Sequence, residues 1–362
     1  MVKSILFLMH KILVCHTGAW IGDMVLLTPA LRALKQAYPE SFLTLLLRPL
    51  VVDLMKSNPY VDEYIVDTRT NGQFRSLLKV VRQIREHKFD ISVVLHPTSF
   101  RNALLCFIAR IPIRIGSNYK GRGFLLTTSC PHNTNLHEVD RYLTVLRLLN
   151  INTVPTSSSK DTMQGFSQSQ LEFWHTDAER QSTQKLLRNE GIAPNDRLIA
   201  VNLGTTWRTK QWDISNFAAV ISQISNVLPD VKIVLTGSTA EILLVGELPH
   251  SESIVNLVGK TDILQLGALL ERCEVCLTCD SGPMHIAAAV GIPTIALFGP
   301  TDPSRHQPYG TDHTVIEKPV SCRPCYKRTC HRQDIPYLCM EEIKITEVVE
   351  ALVTKLNQNN SN

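Results

Sequence analysis

One segment places an acid and two small residues between an apolar run and the start of a helix. In VCLTCDSGPMHIAAAVG the run ends at Asp280, Ser281 and Gly282. Pro283 then marks the first turn of a helix. Free N–H groups at a helix start bind anions, Gly282 allows a close approach, and His285 adds a donor. The segment predicts a phosphate site, with an ordinary turn capped by Ser281 as the alternative.

A second polar loop, NLGTTWRTKQW, follows another apolar run and offers the hydroxyls of Thr205 and Thr206 and the ammonium of Lys210. Threonine hydroxyls donate directionally, and an ammonium neutralises the charge that develops on a departing diphosphate. A further small-residue loop, Gly299 to Asp302, follows the last predicted strand and suits the wall of a nucleotide pocket. The alternative for the Thr-rich loop is a solvated polar connection.

An acid in the first half is a candidate general base. The segment HTGAWIGD, residues 16–23, is predicted to be a loop between a strand and a helix, with Asp23 at its end. Such a carboxylate can take the proton of an attacking hydroxyl. The alternative is a helix cap, because Asp is common near helix starts. Thr28-Pro29 also predicts that the following helix begins late or is kinked.

Basic residues near predicted strand ends of the first half would suit an anionic acceptor. They are Arg101, Arg114, Lys120 and Arg122. Solvated surface charge is the alternative for each of them. The formal net charge of +4 is too small to indicate a nucleic-acid-binding protein.

The ten cysteines fall into two notable groups. Cys273, Cys276 and Cys279 lie in an apolar run whose alternating faces cannot direct all three thiols at one metal, so we predict buried small side chains. The second group is basic and loop-like, and comprises Cys322, Cys325, Cys330 and Cys339. Its loose spacing leaves open a zinc site, a redox link or unpaired thiols.

Apolar β-branched runs alternate with helical patterns along most of the chain, which predicts parallel sheets with crossover helices. Strands are predicted at residues 11–15, 42–47, 63–66, 90–95 and 114–116, and again at 198–202, 232–236, 253–256, 275–278 and 294–298. Helices are predicted at 31–38, 74–86, 102–109, 138–149, 214–228, 240–248, 263–272, 284–290 and 346–356.

The pattern restarts after a Ser-, Thr- and Pro-rich stretch at residues 151–169, which predicts a linker. We therefore predict an α/β chain with two Rossmann-like domains, at residues 1–165 and 166–345, followed by a terminal helix and tail at 346–362. Ligands of open α/β sheets bind beyond the carboxyl ends of the strands, so the two domains are expected to face each other across a cleft. We expect no signal peptide, and Met9 is an alternative start to Met1.

Six blocks in order resemble glycosyltransferase family nine, the lipopolysaccharide heptosyltransferases. They are IGDMVLLTPALRALK, RIGSNYKGRGFLLT, HEVDRYL, NLGTTWRTKQW, DSGPMHIAAAVG with FGPTDP, and CRPCYKRTC. The run PTSFRNALLCFIARIPIRIG is most similar to members that add the second core heptose. The resemblance implies the GT-B fold, an ADP-heptose donor, a lipopolysaccharide inner-core acceptor and inversion at the anomeric carbon. It also implies no cofactor or required metal, and a cytoplasmic enzyme in peripheral contact with the inner face of the cytoplasmic membrane.

The same resemblance assigns roles to residues. Asp23 falls on the catalytic base, and Thr205, Thr206 and Lys210 fall on the diphosphate contacts. Asp280, Gly282 and His285 fall on the donor loop, where Ser281 replaces a hydroxyl-bearing Thr. An acid that binds ribose is expected about two residues after Gly237. This chain has Thr239 at that position and offers an acid only at Glu241.

Two other classes of function remain open at this point. A sugar-nucleotide epimerase or hydrolase would use the same phosphate sites without an acceptor. A non-catalytic nucleotide-sugar-binding or zinc-stabilised protein would not need Asp23.

Overall fold

The computed structural model describes residues 10–68, 74–151, 170–310 and 312–359. The chain divides into two compact units, Met1–Gln170 and Leu171–Asn362. The predicted boundary at residues 165 and 166, most of the predicted linker and both candidate start methionines lie outside the described residues. Within the described ranges, no helix is long and apolar enough to cross a lipid bilayer.

The first unit is built on a parallel sheet. Its strands are β1 (Lys11–Cys15), β2 (Phe42–Leu47), β3 (Glu63–Val66), β4 (Ile91–Val94), β5 (Ile113–Asn118) and β6 (Thr128–Pro131). Among the described residues they form a six-stranded sheet in the order β3-β2-β1-β4-β5-β6. Strands β2 and β3 are added on one side of β1, and strands β4, β5 and β6 are added on the other side. The switch point therefore lies between β1 and β4, and open α/β sheets bind ligands at such a point.

The helices of the first unit are α1 (Ile21–Ala37), α2 (Val52–Met55), α3 (Phe74–His87), α4 (Phe100–Ile108) and α5 (Glu138–Leu146). The prediction that α1 begins late was wrong, because the helix starts at Ile21 and contains Pro29. Proline cannot donate to the carbonyl four residues earlier, which belongs to Val25. The Thr28 hydroxyl donates to that carbonyl at 2.8 Å instead, so the helix continues through the proline.

The second unit repeats the topology. Its strands are β7 (Arg197–Asn202), β8 (Val231–Thr236), β9 (Ile254–Asn256), β10 (Val275–Cys279), β11 (Thr294–Phe298) and β12 (His313–Glu317). Within the described residues they form a six-stranded parallel sheet in the order β12-β11-β10-β7-β8-β9, with its switch point between β7 and β10. The predicted α/β class with two Rossmann-like units is confirmed.

The helices of the second unit are α6 (Asp177–Asn189), α7 (Ile214–Val227), α8 (Ile263–Leu270), α9 (Gly282–Ala289), α10 (Pro303–His306), α11 (Leu338–Glu341) and α12 (Ile345–Asn359). The terminal helix predicted at 346–356 is present as α12, and it packs on α7 and β10 through Val348, Leu352 and Leu356. The helix predicted at 240–248 is a 3-10 helix, Thr239–Glu247. The sequence did not predict α6, β6 or β12.

The first group of cysteines is buried, as predicted. Cys276 and Cys279 lie in β10, and Cys273 precedes that strand. Burial raises the pKa of all three thiols. All ten cysteines lie within the described residues and are free thiols, without a disulfide bond. Among the described residues, which include the four tail cysteines, no three His, Cys, Asp or Glu side chains are grouped so as to hold a metal ion.

Candidate active site

The predicted donor residues of the second unit follow three neighbouring strands. The carboxyl ends of these strands form one edge of the sheet, the carboxyl edge. Thr205, Thr206 and Lys210 follow β7, Asp280 to Gly282 follow β10, and the loop from Gly299 follows β11. Because β7 and β10 are hydrogen-bonded neighbours at the switch point, their following loops start side by side. Asn202 joins them, since its amide donates to the Gly204 carbonyl at 2.8 Å and to the Thr278 hydroxyl at 3.2 Å.

A buried ion pair lies at the centre of this edge. The Lys210 ammonium is 2.7 Å from the Asp280 carboxylate. The same carboxylate accepts a hydrogen bond from the Thr301 hydroxyl at 2.6 Å. Burial opposes ionisation of Asp280, but the Lys210 charge and the hydrogen bonds outweigh it and keep the pKa of this carboxyl below its ordinary value. Asp280 therefore stays ionised and fixes the position of Lys210.

The loop that contains Lys210 is attached at both ends. The Thr205 hydroxyl donates to the Asp280 carbonyl at 3.2 Å. The Gln211 amide donates to the carbonyls of Leu203 and Trp212 at 2.8 and 3.2 Å, which closes the loop. Thr206 is exposed in the same loop. The structure thus brings Thr205 and Lys210 to Asp280 and leaves the Thr206 hydroxyl at the surface.

Helix α9 starts at this edge without a side-chain cap. Ser281 occupies the N-cap position, but its side chain makes no capping hydrogen bond, and its hydroxyl pairs with that of Thr278 at 3.0 Å. His285 is buried in the helix. The first N–H groups of an α-helix have no partner within the helix, so the start of α9 is suited to an anion. This supports the anion site over the alternative of a Ser281 cap.

Glu241 lies close to the same edge, in the 3-10 helix after β8. Its carboxylate accepts from the backbone N–H and hydroxyl of Ser238, both at 2.7 Å. A Cβ placed on Gly204 would lie 2.7 Å from Glu241 Cδ, so the absence of a side chain at Gly204 leaves the space that the carboxylate occupies. The carboxylate is therefore held between the loops after β7 and β8, where a ribose acid is expected.

In the first unit, Asp23 does not lie in a loop as predicted. It lies in the first turn of α1, whose N-cap position belongs to Trp20. The alternative that Asp23 is the N-cap is therefore wrong, although a carboxylate in a first turn still stabilises the helix dipole. The carboxylate is directed back over Gly18, because a Cβ there would lie 2.6 Å from Oδ2 of Asp23. Asp23 thus lies beyond the carboxyl end of β1, at the switch point of the first sheet.

The profile of glycosyltransferase family 9 (heptosyltransferase) matches residues 77–335. This chain belongs to that family. Lipopolysaccharide heptosyltransferase 3 of Escherichia coli (strain K12) is 29% identical over 296 residues, which cover 78% of this chain and 80% of that protein. The structure of the glycosyl transferase family 9 from Veillonella parvula DSM 2008 superposes with a TM-score of 0.81 at 25% identity, covering 96% and 98% of the two chains. E. coli ADP-heptose lps heptosyltransferase II gives a TM-score of 0.74 at 23% identity over 97% and 99%.

The basic residues of this family member do not all present their charge to solvent. The Arg101 guanidinium forms a two-point ion pair with the buried carboxylate of Asp67, at 2.9 and 3.0 Å. Arg122 is fully buried, and its guanidinium donates to the carbonyls of His96, Ser99 and Ser117 and to the Ser117 hydroxyl. Burial lowers the pKa of Arg122 to about 10. Arg122 therefore braces its loop, which corrects the expectation that it binds the acceptor, whereas Lys120 is exposed.

Sequence reasoning missed a histidine pair beside Asp23. His16 is buried, its Nε2 lies 3.1 Å from the Tyr142 hydroxyl, and its ring stacks on His96 at 5.0 Å. Burial, with the neighbouring His96, holds the pKa of His16 well below its ordinary value, so the ring is neutral. The position of a Cβ on Gly18 is 3.2 Å from His16 Nδ1. His16 directly follows the predicted strand at residues 11–15 and shares the segment HTGAWIGD with Asp23, and this was the available signal.

Proposed function

We propose that this heptosyltransferase transfers heptose from ADP-heptose to the inner core of lipopolysaccharide, with inversion at the anomeric carbon. The observation that supports the donor is the arrangement at the switch point of the second sheet, where Lys210, Thr205 and the uncapped start of α9 lie around Asp280. Of the two similar E. coli proteins, one is a lipopolysaccharide heptosyltransferase and the other an ADP-heptose lps heptosyltransferase.

In the proposed reaction the second unit binds the nucleotide. The N–H groups of α9 and the Thr206 hydroxyl donate to the diphosphate, and the Thr205 hydroxyl exchanges its hydrogen bond to the Asp280 carbonyl for one to the diphosphate. Glu241 accepts from a ribose hydroxyl. As the bond between the anomeric carbon and the diphosphate oxygen breaks, negative charge develops on the leaving ADP. Lys210 stabilises that charge, and because Asp280 already holds the ammonium in place, little reorganisation is needed.

Asp23 acts as the general base in this proposal. The acceptor hydroxyl attacks the anomeric carbon on the face opposite to the diphosphate, and its proton passes to the Asp23 carboxylate. His285 contributes a donor to the donor loop. The acceptor is lipid-anchored, so we propose peripheral contact with the inner face of the cytoplasmic membrane. Lys120 is the exposed basic residue proposed to contact an anionic group of the acceptor.

Incubation of the protein with ADP-heptose and defined core acceptors, followed by mass analysis, tests this proposal. The expected result is an acceptor heavier by one heptose residue together with stoichiometric ADP. Release of free heptose at a rate independent of the acceptor would indicate a hydrolase. Isomerised ADP-heptose without any transfer would indicate an epimerase.

A further inference from the structure

The basic tail segment, Tyr326 to Cys330 (YKRTC), is attached to two of the proposed donor loops. The Thr209 hydroxyl donates to the Lys327 carbonyl at 2.7 Å. The backbone N–H groups of Cys325 and Tyr326 both donate to the Pro300 carbonyl at 3.0 Å. The tail therefore has a fixed place beside the loops after β7 and β11, independent of any metal or disulfide.

This attachment brings a second cation to the ring that Lys210 contacts. The Lys210 ammonium lies 4.7 Å from the centre of the Trp207 ring, and the Arg328 guanidinium carbon lies 5.2 Å from the same centre. Aromatic faces attract cations at these distances. Arg208 and Arg305 stack instead on two other rings, those of Tyr337 and Tyr326. Arg328 is thus the tail cation that shares an aromatic partner with Lys210.

The charges around Lys210 explain why a second cation is useful. The ammonium is already paired with the Asp280 carboxylate at 2.7 Å, so part of its charge is balanced before any ligand binds. A nucleoside diphosphate carries more than one negative charge, and a guanidinium can donate to two of its oxygens at once. Arg328 is exposed, so its side chain can reach a ligand at the loop edge.

We propose that Arg328 binds the diphosphate of the nucleotide donor, with Trp207 holding it in position beside Lys210. This inference rests on the proposed function, because it assigns a further residue to the same nucleotide site. It gives the tail a role that requires none of its thiols.

Calorimetry with ADP tests the inference without needing to know the acceptor. Arg328→Gln is expected to raise the Kd for ADP about tenfold, as expected for loss of a charged hydrogen bond at an exposed site. Adenosine affinity, measured by ligand-observed NMR, should be unchanged because adenosine has no phosphate. The matched control is Lys344→Gln, which removes the same charge from an exposed lysine of the second unit and should leave the Kd for ADP unchanged.

Three results would overturn the assignment of Arg328. They are wild-type ADP affinity in Arg328→Gln, an equal loss of ADP affinity in Lys344→Gln, and a parallel loss of adenosine affinity. If the wild-type protein itself does not bind ADP, the proposed function fails before this inference is reached. Arg328→Lys should show an intermediate Kd, because it keeps the charge but loses the planar pair of donors.

Discussion

Oδ2 of Asp23 lies 2.6 Å from the point at which a Cβ on Gly18 would stand. The carboxylate therefore occupies the space that every other amino acid would fill at position 18. Gly18 lies in the loop between β1 and α1, and Asp23 lies in the first turn of α1, so the local backbone sets the distance between them. The proposed base is thus positioned by a glycine five residues earlier in the chain, and this relationship can be tested apart from the acid itself.

Replacing Gly18 by Ala is expected to displace the Asp23 carboxylate and to lower kcat by about tenfold to a hundredfold, because small errors in the position of a catalytic group are costly. The Kd for ADP should not change, since the proposed nucleotide residues belong to the second unit. The control is Gly246→Ala, where a Cβ meets no atom within 4 Å. Equal kcat values for the two variants would show that Gly18 does not position the base.

Asp23→Asn keeps the shape of the side chain and removes its basicity. Turnover should fall by roughly a hundredfold to ten-thousandfold, while ADP binds with near-native affinity. Asp53 provides a control, because it also lies in the first turn of a helix and is largely exposed beside Lys56. Asp53→Asn should leave turnover unchanged, whereas a folded Asp23→Asn protein with near-native turnover would exclude Asp23 as the base.

Lys210→Ala should lower kcat with a smaller effect on the KM for the donor, because its charge acts mainly as the diphosphate leaves. The structure adds an effect on stability, since the buried Asp280 carboxylate loses its ion partner. Breaking such a pair costs about 3–5 kcal/mol. The double variant Lys210→Ala with Asp280→Asn should regain stability in urea unfolding but not kcat. A rise in donor KM alone would contradict the proposed role.

Glu241→Ala should remove the preference for ADP over analogues that lack a ribose hydroxyl. A hydrogen bond to a charged group contributes about 1.5–3 kcal/mol, so the preference should fall by about tenfold or more. Ser238→Ala provides the control, because it removes a hydroxyl partner of Glu241 but retains the carboxylate and the hydrogen bond that it accepts from the backbone N–H of residue 238. Competition binding with 2′-deoxy-ADP and 3′-deoxy-ADP measures the effect. Unchanged selectivity in Glu241→Ala would require another ribose contact.

His313 should make the second unit sensitive to acid. Burial lowers the pKa of His313 to about 4, whereas in the unfolded chain it is about 6.5. As the pH falls, the folded state therefore binds a proton at His313 only at a lower pH than the unfolded chain does. The contribution of neutral His313 to the free energy of unfolding is fully present above about pH 6.5, and it is lost as the pH falls from there to about pH 4.

Urea unfolding at pH 7.5 and pH 5 measures the contribution of His313. His313→Gln should reduce the loss of stability between these pH values by about 2 kcal/mol. His331→Gln, at an exposed position of the same unit, should not reduce it. The same pH dependence in His313→Gln and the wild-type protein would contradict this assignment.

The sequence by itself determined most of the strands and the loops that follow them. β1, β2 and β11 have the predicted bounds, because a strand buried on both faces is a short continuous apolar run that local sequence reveals. The edge strand β3 also has the predicted bounds, since its residues YIV still form a short apolar run. β6 and β12 were missed because their residues, TSCP and HTVIE, are partly exposed and contain no continuous apolar run of that kind. α6 was missed because its residues, DAERQSTQKLLRN, are mostly polar and only Thr183 and Leu187 are buried.

Only the tertiary structure decided how the site is assembled. Lys210 and Asp280 are far apart in the chain, and their ion pair exists because β7 and β10 are neighbours in the sheet. Arg122 reads in the sequence as a surface cation, yet four acceptors brought together by the fold allow its guanidinium to be buried. Local sequence specifies which side chains end each strand, whereas the partners that fix their charge and orientation come from distant segments.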